Sequence, residues 1–126
     1  MNNGLNYIGL ARRSGRVEIG EEATAAAARG RKAFVVCTAN DASPHSIRRA
    51  ADFAEAARLP HLPLPATKAE LGAILGRESC AMLALCDAGL ALALVETLFR
   101  DDPTLAPVRE ALTRSAVRMK KKPKRK

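Results

Sequence analysis

The sequence contains few aromatic residues and few cysteines. Its 126 residues include no tryptophan, one tyrosine and three phenylalanines, so aromatic side chains make up 3% of the chain. Proteins that bind single-stranded nucleic acid stack bases on exposed aromatic side chains, and this chain has too few to build such a platform. Cys37, Cys80 and Cys86 are an odd number of cysteines without CxxC spacing. This argues against a disulfide framework and favours buried thiols in a reducing compartment.

Several common functional signatures are also missing. No apolar run approaches the roughly 20 residues that a transmembrane helix requires, and the first residues lack the basic, apolar and small-residue pattern of a secretion signal. Glycine-rich nucleotide loops, zinc-ligand spacings and catalytic triads are absent as well. We therefore expect a cytoplasmic protein that is not an enzyme and that uses no cofactor, metal, small-molecule substrate or membrane.

Four isolated polar residues are predicted to have structural roles. His45 and His61 are too far from other titratable groups to indicate a metal site or a catalytic base. Asp41 and Asp87 follow two predicted central strands, and we expect them on one edge of the sheet, where α/β enzymes place their sites. Because no nucleophile, histidine or phosphate loop accompanies them, a capping or turn role is predicted for both.

The positive charge is concentrated at the end of the chain. The net charge is +8, and the last nine residues, Arg118–Lys126, hold seven cations and no acid. Since the whole chain has 21 cations and 13 acids, the first 117 residues carry 14 cations against 13 acids. Like-charge repulsion predicts a disordered basic tail over 118–126. Such a tail is either an arm that binds a polyanion or a solvated segment that aids solubility.

Hydrophobic periodicity and capping signals predict helices that alternate with strands. Apolar residues make up 48% of the chain, enough for one core. Helices are expected over residues 3–14, 21–29, 44–57, 68–75 and 88–99, and strands over 33–39, 80–86 and, at an edge, within 59–65. This alternation predicts βαβ-type crossovers and an α/β/α sandwich. The predicted divisions are a domain over 1–100, a C-terminal helix over 101–117 and the tail over 118–126.

The most informative stretch runs from residue 15 to residue 43. Gly20, Glu21 and Glu22 open an alanine-rich helix, which a basic turn closes before an apolar strand. A helix N-terminus exposes unpaired N–H groups and a partial positive charge, so it can hold a phosphate or present an acidic side chain to a nucleobase. We interpret this as an RNA-facing helix end. In the alternative, the two glutamates only complement the helix dipole.

The order of these elements resembles a known family. It is carried by two segments, GEEATAAAARGRKAFVVCTANDAS (residues 20–43) and ATKAELGAILGRESCAMLALCDAG (residues 66–89). Together they look like the kink-turn-binding ribosomal protein superfamily of the L-seven-Ae and L-thirty-e kind, which includes small bacterial ribosome-associated proteins. The resemblance covers roughly residues 4–98. It implies a three-layer α/β/α sandwich with a central mixed sheet of about four strands that binds RNA without catalysis.

The resemblance also implies an RNA site. Glu22 matches the family's glutamate, whose carboxylate accepts hydrogen bonds from a guanine edge. The family's asparagine position is Glu21 here and its lysine position is Ala25. The extra carboxylate repels phosphates, and the missing lysine removes one phosphate contact. A second RNA-contacting loop corresponds to Arg77, Glu78 and Ser79. The cations that we expect to compensate are Arg12, Arg13, Arg16, Arg31 and Lys32. Further phosphate contacts are expected from the tail residues Lys120, Lys121, Lys122, Lys124, Arg125 and Lys126.

Three functions remain open on the sequence alone. The first is a ribosome-associated protein that reads folded RNA through the start of the second helix and adds phosphate contacts with its tail. The second is a protein-interaction module in which the RNA site has eroded, as Glu21 and Ala25 suggest. The third is an accessory substrate-binding domain of a larger RNA-modifying enzyme, of which this chain is a fragment. The oligomeric state is not predicted.

Overall fold

A computed structural model of the chain describes residues 4–121. Helices and strands alternate along these residues, as the sequence predicts. The elements, in chain order, are α1 (Leu5–Arg13), β1 (Val17–Ile19), α2 (Glu21–Arg29), β2 (Val35–Thr38), α3 (Pro44–Ala57), β3 (His61–Pro63), α4 (Lys68–Leu75), β4 (Met82–Leu85), α5 (Ala88–Phe99), a 3-10 helix (Pro103–Leu105) and α6 (Ala106–Lys121).

The strands form one mixed sheet in the order β1-β4-β2-β3. β2 and β3 are parallel and are joined by the crossover helix α3, whereas β4 is antiparallel to both β1 and β2. Val36 of β2 lies opposite Ala84 of β4 on one side and His61 of β3 on the other. The proline-containing strand β3 lies at an edge, as expected, because proline cannot donate to a sheet ladder.

Helices cover both faces of this sheet because its central strands are apolar on both sides. On one face, alternate residues of β2 and β4, such as Val35 and Leu83, pack in the main core with α1, α4, α5 and α6. On the other face, Val36 packs against Ala50 and Ala54 of α3. The predicted three-layer α/β/α sandwich is therefore confirmed.

The predicted capping residues define where three of the helices begin. Ser43 caps α3 and Asp87 caps α5, each through a side-chain oxygen that accepts a backbone N–H bond. Thr67 and Glu70 form the predicted capping box at the start of α4. In this box the Thr67 hydroxyl accepts from the Glu70 N–H, and the Glu70 carboxylate accepts from the Thr67 N–H. These local signals were sufficient to place the helix starts.

Sequence patterning does not predict β1. Its residues Val17, Glu18 and Ile19 are all half-buried and one of them is charged. The segment therefore shows neither a long apolar run nor an extended alternation. β1 forms because its backbone pairs with β4, which places Val17 opposite Leu85.

The expectation that Asp41 and Asp87 share an edge of the sheet is wrong. β2 and β4 are antiparallel, so the loops that follow them leave opposite edges. The Asp41 carboxylate accepts a 2.8 Å bond from the backbone N–H of Lys68, and Asp87 accepts one of 2.9 Å from Leu90. Both aspartates have the capping or turn role that the sequence predicts.

The last helix continues past the predicted boundary at residue 117. α6 runs to Lys121, so Arg118 to Lys121 are helical and do not belong to a disordered tail. Arginine, methionine and lysine favour a helix, and the first residue that opposes one is Pro123. The rest of the predicted tail, residues 122–126, lies outside the described residues.

Candidate nucleic-acid interface

Three segments that are distant in sequence meet at one edge of the sheet. Because β4 is antiparallel to β1 and β2, its first residues lie beside the last residues of both. The Gly20 N–H donates to the Met82 carbonyl at 2.9 Å, and the Ala39 N–H donates to the Ala81 carbonyl at 3.0 Å. We call this the helix-start edge, formed by residues 20–22, residues 39–41 and residues 77–82.

The chain turns sharply at Gly20, directly before α2 begins. Its backbone has φ +96° and ψ 171°, a conformation that is essentially restricted to glycine. No side chain caps the helix at this position, so the first N–H groups of α2 remain available to a ligand. The sequence prediction of a helix over 21–29 that begins after Gly20 is confirmed.

The two glutamates at the start of α2 have different surroundings. The Glu21 carboxylate forms an ion pair with Arg49 of α3, and the two side chains are 42% and 44% exposed. The Arg49 guanidinium also lies 5.2 Å from the ring centre of Phe53. Glu22 is exposed, and its carboxylate has no hydrogen bond or ion pair within residues 4–119. Glu22 is therefore free to accept a bond from a ligand, whereas the charge of Glu21 is balanced.

Gly72 fixes the loop that contains Arg77, Glu78 and Ser79. A Cβ atom at Gly72 would lie 2.7 Å from the Arg77 carbonyl oxygen, 2.8 Å from the Ser79 Cα and 2.9 Å from the Glu78 carbonyl carbon. The loop therefore packs directly against the backbone of α4. The Arg77 N–H donates to the Gly72 carbonyl at 2.8 Å. This contact explains the Glu70-Leu71-Gly72 pattern and places the loop at the helix-start edge.

The start of α4 completes this edge. The Lys68 N–H donates to Asp41, the Lys68 carbonyl accepts from the Cys80 N–H at 3.0 Å, and the Asn40 N–H donates to the Ala66 carbonyl at 2.8 Å. Sequence reasoning missed Lys68 and Arg49 as cations of this edge. Lys68 stands inside the capping box, which was a usable signal, whereas the position of Arg49 depends on the packing of α3 beside α2.

The predicted lysine position is not on the surface. Ala25 is 8% exposed and lies on the buried side of α2, so its side chain does not share the exposed face with Glu22. Ala26 is exposed and lies four residues after Glu22, on the same face of the helix. Ala26 is therefore an exposed position of α2 on the Glu22 side.

The cations expected to compensate do not gather at the helix-start edge. Arg16 and Lys32 lie near Cys86, which directly follows β4 at the opposite edge of the sheet. Arg31 follows the end of α2, which is about 14 Å long. Arg12 donates from Nε to the Leu75 carbonyl at 3.1 Å, at the end of α4.

The remaining predicted cations are one residue in the last turn of α1 and six residues from position 120 onward. Arg13 is exposed in the last turn of α1. Lys120 and Lys121 belong to the end of α6. Lys122, Lys124, Arg125 and Lys126 lie outside the described residues.

The three cysteines are free thiols, as expected, although they differ in burial. Cys37 and Cys80 are buried and Cys86 is half-buried. Burial raises the pKa of all three thiols above the ordinary value. Residues 4–119 contain no group of three or more histidine, cysteine or acidic side chains placed to hold a metal ion. Over the same part of the chain, none of the helices is long and apolar enough to cross a membrane.

Comparisons with known proteins agree with this architecture. The chain is 37% identical over 73 residues to the RNA-binding protein YlxQ of Enterococcus faecium, and the match covers 58% of this chain and 70% of that protein. No protein-family model matches the chain. A Bacillus halodurans protein of unknown function has a similar structure, with a TM-score of 0.70 and 23% identity over 75% of this chain and 95% of that one. The Giardia lamblia 15.5kD RNA binding protein has a TM-score of 0.64 and 18% identity, over 87% of each chain.

The sandwich with its mixed sheet thus belongs to the fold class of these two solved structures. Within this class, the identity to YlxQ is high enough and long enough to show the family. The chain belongs to the family of the RNA-binding protein YlxQ.

Proposed function

We propose that the protein is a non-catalytic, cytoplasmic and ribosome-associated RNA-binding protein, which recognises folded, kink-turn-like RNA through the helix-start edge. The observation that carries the proposal is the meeting of Gly20, Glu22 and the loop 77–79 at one edge of the sheet. The Gly20 N–H donates to the Met82 carbonyl at 2.9 Å. The loop is held by the Arg77 N–H, which donates to the Gly72 carbonyl at 2.8 Å. The YlxQ relative is named an RNA-binding protein, which supports the same function here.

Each part of the helix-start edge has a distinct role in this proposal. The free Glu22 carboxylate accepts hydrogen bonds from the amino and imino groups of a guanine. The exposed N–H groups at the start of α2 face a phosphate or a sugar oxygen. The loop 77–79 contacts the opposite side of the bound RNA, and Arg77 supplies a donor for a phosphate.

The charge of this edge favours base recognition over general attraction to phosphates. Five acidic residues and three basic residues lie on it, namely Asp41, Glu21, Glu22, Glu70 and Glu78 against Arg49, Lys68 and Arg77. With no positive excess, the edge gains little from counterion release. The basic residues near the C-terminus then supply the backbone contacts of the complex.

A titration of labelled RNA tests the role of Glu22. The Glu22→Gln variant keeps one acceptor oxygen but adds a misplaced donor, and a bidentate base contact is worth about 1–3 kcal/mol. We expect its affinity for a kink-turn RNA to fall about ten-fold or more, while affinity for a plain hairpin of equal charge changes little. The control is Asp101→Asn, which removes one exposed negative charge after α5 and leaves both affinities unchanged.

A second variant tests the departure from the family pattern. Glu21→Asn frees Arg49, and Ala26→Lys adds a cation on the exposed face of α2. We expect the double variant to bind the kink-turn more tightly than the wild-type chain does. If all of these variants bind both RNAs as the wild type does, the helix-start edge does not read RNA and the protein-interaction module is the better account.

A further inference from the structure

A second surface of the protein has the excess of positive charge that the helix-start edge lacks. An open groove of about 1130 Å³ lies between the ends of α2 and α3, the start of β2 and one side of α6. α2 and α3 both begin at the helix-start edge, so their ends lie at the opposite edge of the sheet. No acidic residue lines the groove. We call it the arginine groove after the five arginines that line it, which are Arg29, Arg31, Arg58, Arg114 and Arg118.

These arginines have no acidic partners in the described part of the chain. Ion pairs within residues 4–119 join Arg49 to Glu21 and Arg109 to Glu96, and neither pair involves an arginine of the groove. All five arginines of the groove are exposed. Cations that converge without counter-charges create a positive potential that attracts an anionic ligand.

Two of the five arginines occupy a backbone conformation that favours glycine. Arg31 and Arg58 each have φ +60° and are the non-glycine residues with positive φ among those that the structure describes. Arg58 ends α3 in the left-handed conformation, where helices most often place glycine. A long cationic side chain at both strained positions points to a function for the charge.

We propose that the arginine groove binds the phosphate backbone of RNA and forms a second RNA contact opposite the helix-start edge. This inference rests on the proposed function, because it takes the ligand to be the RNA whose bases the helix-start edge reads. The planar guanidinium group suits phosphate oxygens through paired hydrogen bonds. The half-buried Phe34 and Phe53 also line the groove and supply an apolar floor for sugars or bases.

The position of the groove favours a nucleic-acid backbone over a small anion. Arg118 belongs to both the groove and the basic C-terminal segment, so the cations of the groove continue into that segment. α2 separates the two surfaces by about 14 Å, a distance that one folded RNA spans easily.

The salt dependence of RNA affinity tests this proposal. A labelled kink-turn RNA is titrated with the full chain and with Arg31→Gly/Arg58→Gly at a series of salt concentrations. Each lost phosphate contact reduces the log–log salt slope by about 0.7–0.9, so we expect a reduction of roughly 1.5 for the double variant. Glycine adopts positive φ without strain. The melting temperature should therefore stay the same or rise, which separates lost binding from lost folding.

Two matched variants make the comparison specific. Arg114→Gln/Arg118→Gln removes two charges from the α6 side of the groove and should reduce the slope by a similar amount. Arg100→Gln removes one exposed charge at the end of α5, outside the groove, and should leave the slope unchanged. Equal slopes for wild type and both double variants overturn the proposal. If Glu22→Gln still weakens binding in that case, the proposed function stands without the groove.

A fluorescent reporter observes the groove directly. The chain contains no tryptophan, so Phe34→Trp places a single tryptophan in the groove. We expect kink-turn RNA to quench its emission, and to do so at higher RNA concentration when Glu22→Gln is added. The proposal is overturned if RNA binds without quenching, or if a poly-glutamate peptide quenches the emission and RNA does not. The latter result identifies the groove as a site for an acidic protein.

Discussion

The structural neighbours of Glu21 change the interpretation of its negative charge. The resemblance places an extra carboxylate where RNA-binding relatives have an asparagine, which suggests repulsion of phosphates. In the structure Arg49 balances that charge. An exposed pair of this kind contributes only about 0–1 kcal/mol to stability, so the start of α2 is stable with or without it.

The positions of the candidate site residues in the fold were partly predictable from the sequence. The order Gly20, Glu21, Glu22 carries its own helix-start signal, and the structure confirms that start. The buried position of Ala25 and the proximity of Arg49 were not predictable. Both depend on how α2 lies against the sheet and beside α3, and no local pattern encodes that packing.

His61 makes the stability of the protein depend on pH. The residue is half-buried in β3, and its Nε2 lies 3.0 Å from the Thr38 hydroxyl oxygen. Burial lowers the pKa of His61 from the ordinary value of 6.5. The unfolded chain therefore binds more protons than the folded chain between the two pKa values. As a consequence, the free energy of unfolding falls as the pH drops through 6.5. It levels off below the pKa that His61 has in the folded chain.

Urea unfolding at about pH 7.5 and about pH 5.5 measures this effect, since carboxylates titrate mainly at lower pH. His61→Gln keeps a hydrogen-bonding group beside Thr38 but does not titrate, so its stability should change less between the two pH values. Equal pH dependence in wild type and variant would show that His61 protonates alike in the folded and unfolded chains.

At the scale of elements, α4 and the loop after it act as one unit. The capping box at Thr67 fixes the start of α4, and the Gly72 backbone supports the loop 77–79. The loop then leads into β4, whose first residues bond to Gly20 and Ala39. The geometry of the helix-start edge therefore depends on a glycine in the middle of a helix, where glycine otherwise costs about 0.5–1 kcal/mol relative to alanine.

Two glycine-to-alanine variants test this dependence. Gly72→Ala introduces a Cβ within 3.0 Å of three backbone atoms, and we expect a loss of about 1–3 kcal/mol in the free energy of unfolding. Gly9→Ala is the matched control in α1, where the nearest atoms are at 3.7 Å; it should gain about 0.5–1 kcal/mol. Urea unfolding followed by circular dichroism gives both values. A gain in both variants would contradict the close packing of the loop.

The sequence predicts elements far better than it predicts their pairing. Helix starts follow from Ser43, Thr67 and Asp87, because capping is a local interaction. The antiparallel pairing of β2 with β4 joins segments more than 40 residues apart and has no local signal. For that reason the edge assigned to Asp87 was wrong, and the short strand β1 was not predicted.

For the molecule as a whole, the separation of charge is the main result. The first 117 residues are almost neutral, yet their cations are unevenly placed. The groups that we propose to read bases lie at the helix-start edge, and five arginines line the groove at the other end of α2. Within residues 4–119 these arginines have no acidic partner. In this account the helix-start edge recognises the bases of the RNA, and the arginine groove attracts its phosphate backbone.

Chemical-shift mapping of the isotope-labelled protein tests the central claim, RNA recognition at the helix-start edge, most directly. Kink-turn RNA is titrated to saturation, and a plain hairpin of equal charge is the control. We predict that the amides of residues 20–22 and 77–79 shift with the kink-turn and much less with the hairpin, while those of Arg31 and Arg58 shift with both. Unchanged amides at residues 20–22 and 77–79 in the saturated kink-turn complex would contradict the account.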